Sequence, residues 1–395
     1  MAPEGRRRML AVASAALFLS VLVWFNYSAV LPFVVEEWDL SGTEAGIVFG
    51  AFQAGYLLAI VPAGMMADRY SPRWVIAVGA TVTGVGSLAF AVGSTGFIDG
   101  TLLRFLSGIG MAGVYVPGMR FVADWYAASG RGTAMGVYIG TFSLSSGLSF
   151  LVASGVASAV GWRTAIAVTS VGALAVAPLV LGLGRDAPGA TRRDRVGLDV
   201  AVLRNRSYLA AVGIYSWHNW ELFGVRNWLV AFLLVTPAVA ATGSPALVAG
   251  TLAGAMILLG GLGNLVGGTL SDRIGRTPVI AAALLASGLV SATLGLLAWL
   301  PLAALVAIVL VYGVALTADS APTSTTVTEV VADERMGTAL SIQSFVGFST
   351  TVVSPVVFGW ALDSGGYALA FPTLALGALA ALVCVALFRL SMRPG

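Results

Sequence analysis

The first candidates for chemistry are ionisable side chains that lie inside long apolar segments. Glu221 lies near the middle of the apolar segment 207–235, and His218, the only histidine, lies one turn before it on the same helical face. Asp319 lies well inside a later apolar segment. A charge at the centre of a membrane span costs about 2.5–3.5 kcal/mol on insertion scales, so each of these residues requires a reason. A carboxylate that is desolvated in one state and hydrated in another can take up and release a proton. We therefore predict Glu221, assisted by His218, as the first proton carrier and Asp319 as the second.

The segment around Glu221 also carries aromatic and polar residues at mid-membrane depth. Trp217 and Trp220 interleave with the polar groups, and Arg226 follows about 140° round the helix from Glu221 at about 100° per residue. A helix that faces lipid would not carry this mixture. We predict that these groups line a cavity and contact a substrate. A structural polar network between helices is the alternative, and for Asp319 the alternative is a carboxylate bonded to nearby hydroxyls.

Two arginines bear on the charge of the substrate. Arg226 and Arg104, the latter in the fourth apolar segment, favour a small anionic or zwitterionic solute, because a guanidinium is a permanently charged fork for carboxylates and oxyanions. Glu221 and Asp319 could instead neutralise both arginines. Arg104 lies near the end of its segment and could also extend to water.

Three further residues are predicted substrate contacts. Tyr115 shares a helical face with Arg104 and lies near the midplane. Asn26 and Tyr27 lie past the middle of the first apolar segment. Both could equally bridge two helices.

The composition requires lipid as the solvent for most of the chain. Hydrophobic residues make up 58% of the 395 residues, charged residues 10%, and the mean hydropathy is +0.92. Backbone groups in lipid must be satisfied internally, so the long apolar segments are predicted to be helices. The sequence predicts an all-α integral membrane protein with twelve spans, near 9–35, 43–66, 74–97, 100–125, 132–158, 164–184, 207–235, 246–270, 278–298, 301–328, 336–361 and 368–391.

The chain repeats itself at an offset of about half its length. The stretch from Gly64 to Arg73 is echoed by the stretch 268–276, and Asp124 lies before a Gly-Thr-Ala sequence as Glu329 does before another. Two copies of one membrane unit place a substrate site between the halves. We predict two pseudo-symmetric six-helix halves, 1–184 and 207–395, joined by a cytoplasmic linker at 185–206.

The arginines set the predicted orientation. All 21 basic residues are Arg, and with the N-terminus in the cytoplasm 17 of them are cytoplasmic. We predict a bacterial inner-membrane protein with both termini in the cytoplasm. The cytoplasmic arginines are Arg6, Arg7, Arg8, Arg69, Arg73, Arg131, Arg185, Arg192, Arg193, Arg195, Arg204, Arg206, Arg273, Arg276, Arg335, Arg389 and Arg393.

The chain lacks the residue patterns of enzymes and of ATP-driven transporters. The single His218 and the single Cys384 lie in different segments, and no Walker-type glycine-rich loop with Lys exists because the chain has no Lys. We predict no enzyme activity, no cofactor, no metal and no nucleic-acid partner.

The sequence resembles the major facilitator superfamily over essentially its whole length. The residues that carry the resemblance are Gly64, Asp68, Arg69 and Arg73 in one loop, Gly268, Asp272, Arg273, Gly275 and Arg276 in the other, and Arg104, Gly108, Gly110 and Gly113 in the fourth span. The resemblance implies that family's twelve-helix fold and secondary active transport by alternating access. Thr141 stands where proton antiporters of the family carry the Pro of a Gly-Pro pair, which argues against drug efflux.

The loop residues have a physical interpretation of their own. An acid such as Asp68 can cap the positive N-terminus of a helix, and the loop arginines can pair with acids such as Asp124. Arg120 and Asp124 are also predicted to form an i, i+4 pair at the cytoplasmic end of the fourth span, with a structural or gating role. We predict that these contacts form a cytoplasmic gate; a simple positive-inside anchor is the alternative. The predicted gating residues are Gly64, Asp68, Arg69, Arg73, Asp124, Arg131, Asp272, Arg273, Arg276 and Glu329.

The predicted function is secondary active transport of a small polar solute, anionic or zwitterionic, by proton-coupled symport. The expected partners are that solute, protons and the lipid bilayer, and a monomer is plausible. Two alternatives stay open: proton-coupled efflux of hydrophobic compounds, and a transporter-like membrane sensor.

Overall fold

The computed structural model describes residues 3–126, 128–188, 200–332 and 335–392. Within these ranges the chain is helical and has no strand. Residues 189–199 of the predicted linker, with Arg192, Arg193 and Arg195, lie outside the described residues, as does Arg393.

Seven helices precede the linker region and seven follow it in the described part of the chain. The first seven are α1 (Pro3–Trp38), α2 (Gly42–Arg69), α3 (Pro72–Gly93), α4 (Phe97–Trp125), α5 (Ala128–Val160), α6 (Trp162–Leu174) and α7 (Val176–Leu183). A 3₁₀ turn at Val200–Arg204 leads into α8 (Arg206–Val235), α9 (Pro237–Ala240), α10 (Pro245–Ile274), α11 (Arg276–Thr293), α12 (Leu302–Thr317), α13 (Ser320–Glu329) and α14 (Met336–Ser391).

These helices account for the predicted membrane spans. Ten segments of the described residues are long and apolar enough to cross a membrane. α8 is a further 30-residue helix whose polar residues keep it out of that set. α14 contains the eleventh and twelfth spans, separated by the non-helical Gly365 and Gly366, and the φ of +68° at Gly366 is one that glycine adopts without a Cβ clash. The all-α fold is confirmed.

Two spans are interrupted inside the membrane region. α6 and α7 meet at Ala175, and α12 and α13 are separated by Ala318 and Asp319. Pro322 weakens the helix at the second break, because it has no N–H to donate to the carbonyl of Ala318 four residues earlier. The matching Pro117 lies inside α4, which continues without a break.

The chain divides into two compact units. The first comprises Met1–Asp39 and Ala51–Val196, and the second comprises Leu40–Gly50 and Gly197–Gly395. In the first unit α1 packs on α5 and α6, and α3 packs on α4. In the second unit α8 and α11 pack on α14, and α10 packs on α12.

The first turns of α2 belong to the second unit and dock closely on α14. Gly42 and Gly46 lie against the backbone of Gly359 and Pro355, where a Cβ on Gly46 would come 2.3 Å from the Pro355 carbonyl oxygen. Asp363 then caps the helix. It accepts hydrogen bonds from the Gly42 amide (2.6 Å), and from the amide (2.9 Å) and hydroxyl (2.7 Å) of Thr43. The cap therefore comes from a residue more than 300 positions away in the sequence.

Candidate functional site

Glu221 lies in a pocket of hydroxyl groups in the second unit. Ser287 Oγ donates to Glu221 Oε2 at 3.0 Å, and Ser291 Oγ donates to Oε1 at 2.7 Å. Tyr312 OH lies 3.4 Å from Oε1 and also bonds Ser291. Glu221 is fully buried. Its two oxygens are thus satisfied by neutral donors from α11 and α12.

His218 lies on α8 one turn before Glu221, and it forms a second polar pair with Asp319, which lies between α12 and α13. His218 Nδ1 lies 2.9 Å from Asp319 Oδ2, and both side chains are almost completely buried, at 3% and 1% exposure. His218 Nε2 lies 3.0 Å from Ser320 Oγ. The His218–Asp319 contact is short enough for an ion pair, but its geometry is not that of a hydrogen bond. No described group hydrogen-bonds to either Asp319 oxygen.

The break between α12 and α13 explains how Asp319 reaches this position. Asp319 immediately precedes α13, and its carbonyl accepts the Thr323 amide at 2.9 Å. Gly263 and Gly267 of α10 lie against the carbonyls of Val314 and Ala318, where a Cβ on Gly267 would come 1.8 Å from the Ala318 oxygen. These glycines leave room for the broken helix to pack closely.

The other predicted residues of α8 face different neighbours. Trp220 Nε1 donates to the Thr373 carbonyl of α14 at 2.9 Å, and the Trp217 ring stacks at a tilt 5.7 Å from that of Trp220. Arg226 is 9% exposed and lies over the Phe223 ring at 5.8 Å. The two Trp residues are therefore not brought together with Glu221, and Arg226 lies about two turns beyond His218, at about 1.5 Å per residue.

Arg104 forms the core of a polar site in the first unit. Its guanidinium donates to the carbonyls of Val23 (3.2 Å) and Trp24 (3.3 Å) and to Asn26 Oδ1 (3.3 Å). It also lies 4.5 Å from the centre of the Phe52 ring. Arg104 is 1% exposed, so it does not extend to water as one alternative held.

The charge of Arg104 has no carboxylate counterpart in the described residues. No described Asp or Glu lies within 4 Å of its guanidinium, and its Nε has no hydrogen-bond partner there. The three acceptors that it does reach are at long hydrogen-bond distances. A buried cation without an anion is costly, because its charge is removed from water without a compensating partner.

Asn26 connects Arg104 to a row of hydroxyl groups. Its amide donates to Thr169 Oγ1 at 2.9 Å and to Ser87 Oγ at 3.3 Å, and Ser170 Oγ donates to Ser87 at 2.7 Å. Asn26 therefore bridges helices, as the alternative interpretation stated, and it also positions the guanidinium.

The two predicted tyrosines take different places. Tyr27 is buried, and its ring lies 5.4 Å from the Arg104 guanidinium. Tyr115 lies three helical turns along α4 from Arg104 and packs on Tyr138 and Phe142 instead. Only Tyr27 is brought to the arginine.

The predicted gating residues of the first unit pair differently from expectation. Arg73 bonds Asp186 at 3.2 Å and the Gly184 carbonyl at 2.8 Å, whereas Asp124 bonds Arg120 at 3.1 Å on its own helix. Asp68 lies 3.6 Å from Arg120. The loop arginine Arg73 thus meets Asp186, an acid that the sequence analysis did not name as its partner.

The second unit forms the pairing that the repeat predicted. Arg276 bonds Glu329 at 3.0 Å and also contacts Asp272. Arg273 is exposed. The remaining predicted gating residues lie in the first unit. Arg131 donates to the Tyr126 carbonyl at 3.2 Å, and the Arg69 guanidinium lies 5.7 Å from the centre of the Tyr70 ring. Gly64 lies near Val116. Whether these residues gate transport stays a prediction.

Sequence reasoning missed the hydroxyl groups that surround the charged residues. Ser287 and Ser291 are four residues apart in an apolar span, a spacing that puts both on one face, and this pattern could have indicated a polar partner. Ser320 and Tyr312 carried no comparable pattern. No group of three His, Cys, Asp or Glu in the described residues is arranged to hold a metal ion.

Comparison with known proteins gives the family. The model of the Major Facilitator Superfamily matches residues 13–244 and 222–395. The chain is 26% identical over 69% of its length to the probable sulfoacetate transporter SauU of Cupriavidus necator, and the alignment spans 66% of that protein, just under two thirds. It is 22% identical to the hexuronate transporter of Bacillus subtilis, over 96% of this chain and 94% of that one.

A solved structure shows the same fold. A bacterial homolog of the human lysosomal transporter Spinster, in an inward-facing and unoccupied conformation, superposes with a TM-score of 0.80 at 16% identity and covers 99% of this chain and 98% of its own. At that identity the likeness establishes the fold alone. Together with the match to the family model, it shows that the chain belongs to the Major Facilitator Superfamily of membrane transporters.

Proposed function

We propose that this protein moves a small anionic solute across the membrane by alternating access, together with a proton. The observation that carries the proposal is Arg104, a buried cation without a carboxylate within 4 Å in the described residues. Such a cation is stabilised when an anion binds it, and its planar fork fits a carboxylate or sulfonate. The relatives named for sulfoacetate and hexuronate transport support an organic anion. Arg226 is the second candidate cation.

The proton step is assigned to the His218–Asp319 pair, with Glu221 second. When His218 is neutral with Nδ1–H towards Asp319, its Nε2 accepts from the Ser320 hydroxyl; when it is doubly protonated, the hydroxyl rotates and accepts instead. The pair can therefore gain or lose one proton without moving a heavy atom. Glu221 is held by hydroxyl donors, which stabilise one fixed arrangement. This order reverses the one that the sequence favoured.

The proposed orientation has both termini in the cytoplasm of a bacterial cell. The excess of arginine on that side supports it. One proton carried with each monovalent anion makes the cycle electroneutral, so a pH gradient alone can drive it.

Ligand-induced thermal shift of the purified protein tests the substrate class. Sulfoacetate and glucuronate are compared with a neutral sugar of similar size. A ligand at one hundred times its Kd stabilises the folded state by about 2.7 kcal/mol, which is a measurable shift. We expect the anions to stabilise the protein and the sugar to have no effect.

Arg104→Lys is the matched variant, because it keeps the charge and loses the fork. We expect its anion-induced shift to fall well below that of the wild type, while the exposed control Arg8→Lys keeps the full shift. An equal shift in Arg104→Lys and wild type, or an equal response to the neutral sugar, would contradict the proposal.

A further inference from the structure

An apolar cavity lies between the start of α8 and the first half of α14 in the second unit. Its volume is about 340 Å³. Its apolar lining includes Leu203, Leu209, Val212, Trp217, Ile342 and Val346. Glu221, His218 and Asp319 do not line it, so it is separate from the site described above.

The cavity is open along its side. Leu203, Leu209 and Val346 are 43%, 45% and 39% exposed, so apolar side chains lie at its opening. Apolar side chains at such an opening are better solvated by lipid tails than by water. Among the molecules of the bilayer, a lipid acyl chain is the group that matches such an apolar lining.

Two arginines lie in the segment that supplies part of the cavity lining. Arg204 ends the 3₁₀ turn and Arg206 begins α8, so both lie in sequence between Leu203 and Leu209, which line the cavity. Both arginines are exposed, and no described Asp or Glu lies within 4 Å of either.

The segment that carries these arginines is fixed in place. The Asn205 side chain accepts the Tyr208 amide at 3.1 Å and donates to the Val330 carbonyl at 2.8 Å. The two guanidinium groups are therefore presented from an anchored backbone. An anionic headgroup at this level can meet both of them while its chain enters the cavity.

We propose that this cavity binds one acyl chain of an anionic phospholipid whose headgroup phosphate pairs with Arg204 and Arg206. The lipid comes from the leaflet on the arginine side, which is cytoplasmic in the orientation proposed above. The site brings a lipid into contact with α8, the helix that carries His218 and Glu221. Charge complementarity selects an anionic lipid over a zwitterionic one, since the site offers two cations and no described carboxylate.

The test compares short-chain phosphatidylglycerol with phosphatidylcholine of the same chains, added to the purified protein in a neutral detergent. Thermal shift reports binding, and no transported solute is present, so the result is independent of the proposed transport function. We expect phosphatidylglycerol to raise the Tm at concentrations at least tenfold below those that phosphatidylcholine needs. Inorganic phosphate should give no shift, because the acyl chain supplies part of the affinity.

Two variants remove the two halves of the site. The double variant Arg204→Gln and Arg206→Gln should raise the phosphatidylglycerol concentration for a half-maximal shift about tenfold, and Val346→Trp should do the same by filling the cavity. Arg8→Gln, at an exposed position on α1, should leave it unchanged. Equal responses to the two lipids, a full response to inorganic phosphate, or wild-type binding by both variants would overturn the proposal.

Discussion

If the His218–Asp319 pair carries the proton, as proposed, replacing Asp319 by Asn should separate proton coupling from solute movement. Asn has nearly the same shape, and its Oδ1 can face the Nδ1–H of His218 at the position that Asp319 Oδ2 now occupies, 2.9 Å away. The change removes the charge that pairs with a protonated His218. No charge is left stranded, because His218 can release its proton. We expect the fold to survive with a loss of at most about 1–3 kcal/mol, the cost of leaving one buried polar group without a partner.

The size of the transport effect follows from the stoichiometry. One pH unit corresponds to about 1.36 kcal/mol per proton, so carrying one proton with each monovalent anion concentrates the solute about tenfold per unit. Asp319→Asn should abolish this accumulation. Exchange of labelled for unlabelled solute should continue, because the site no longer has to release a proton before it reorients.

The assay uses reconstituted vesicles with an imposed pH gradient and a labelled monovalent anion, such as glucuronate, that the thermal-shift screen identifies as a ligand. Glu221→Gln is the matched comparison, since it also replaces a buried acid by its amide. The hydroxyls of Ser287 and Ser291 can rotate to satisfy that amide. We expect Glu221→Gln to retain most of the accumulation. If Asp319→Asn concentrates solute like the wild type while Glu221→Gln does not, the assignment is wrong and Glu221 is the carrier.

Two further predictions concern single polar contacts. Ser291→Ala removes the shorter of the two serine hydrogen bonds to the buried Glu221 and should lower the free energy of unfolding by about 1–3 kcal/mol. Thermal or denaturant unfolding in detergent measures this loss. An unchanged stability would show that another group takes over the contact. Asp363→Asn weakens the cap on α2 and should lower the local stability of its first turn by about 1 kcal/mol. Faster hydrogen exchange at the Gly42 and Thr43 amides would report this loss. Unchanged exchange would mean that the glycine packing alone holds this end of the helix.

Much of the fold could be predicted from local sequence. Runs of apolar residues have to become helices in lipid, because each backbone group then bonds within its own segment. Glu221 and His218 were predicted on one helical face because helical spacing alone determines that relation. The half-chain repeat predicted an arginine pair with Glu329, which Arg276 forms at 3.0 Å.

Partners from other segments could not be predicted in the same way. The sequence made Glu221 the first proton carrier, but its surroundings depend on which face of α11 is directed towards Glu221, and that face supplies Ser287 and Ser291. Asp124 bonds Arg120, four residues before it on the same helix, a contact that helical spacing alone predicts. Arg73 lies instead near Asp186, an acid that the repeat did not include.

Pro117 and Pro322 show a structural difference that local sequence does not predict. Pro322 and Pro117 occupy matching places in the half-chain repeat, yet α4 continues through Pro117 while α12 and α13 are separated before Pro322. Each proline removes one hydrogen-bond donor from its helix, which the sequence alone determines. Whether the helix breaks depends on space for the displaced backbone, and in the second unit Gly267 of α10 provides that space beside Ala318. The sequence determined where the helix is weak, and only the tertiary packing decided that it opens there and buries Asp319 beside His218.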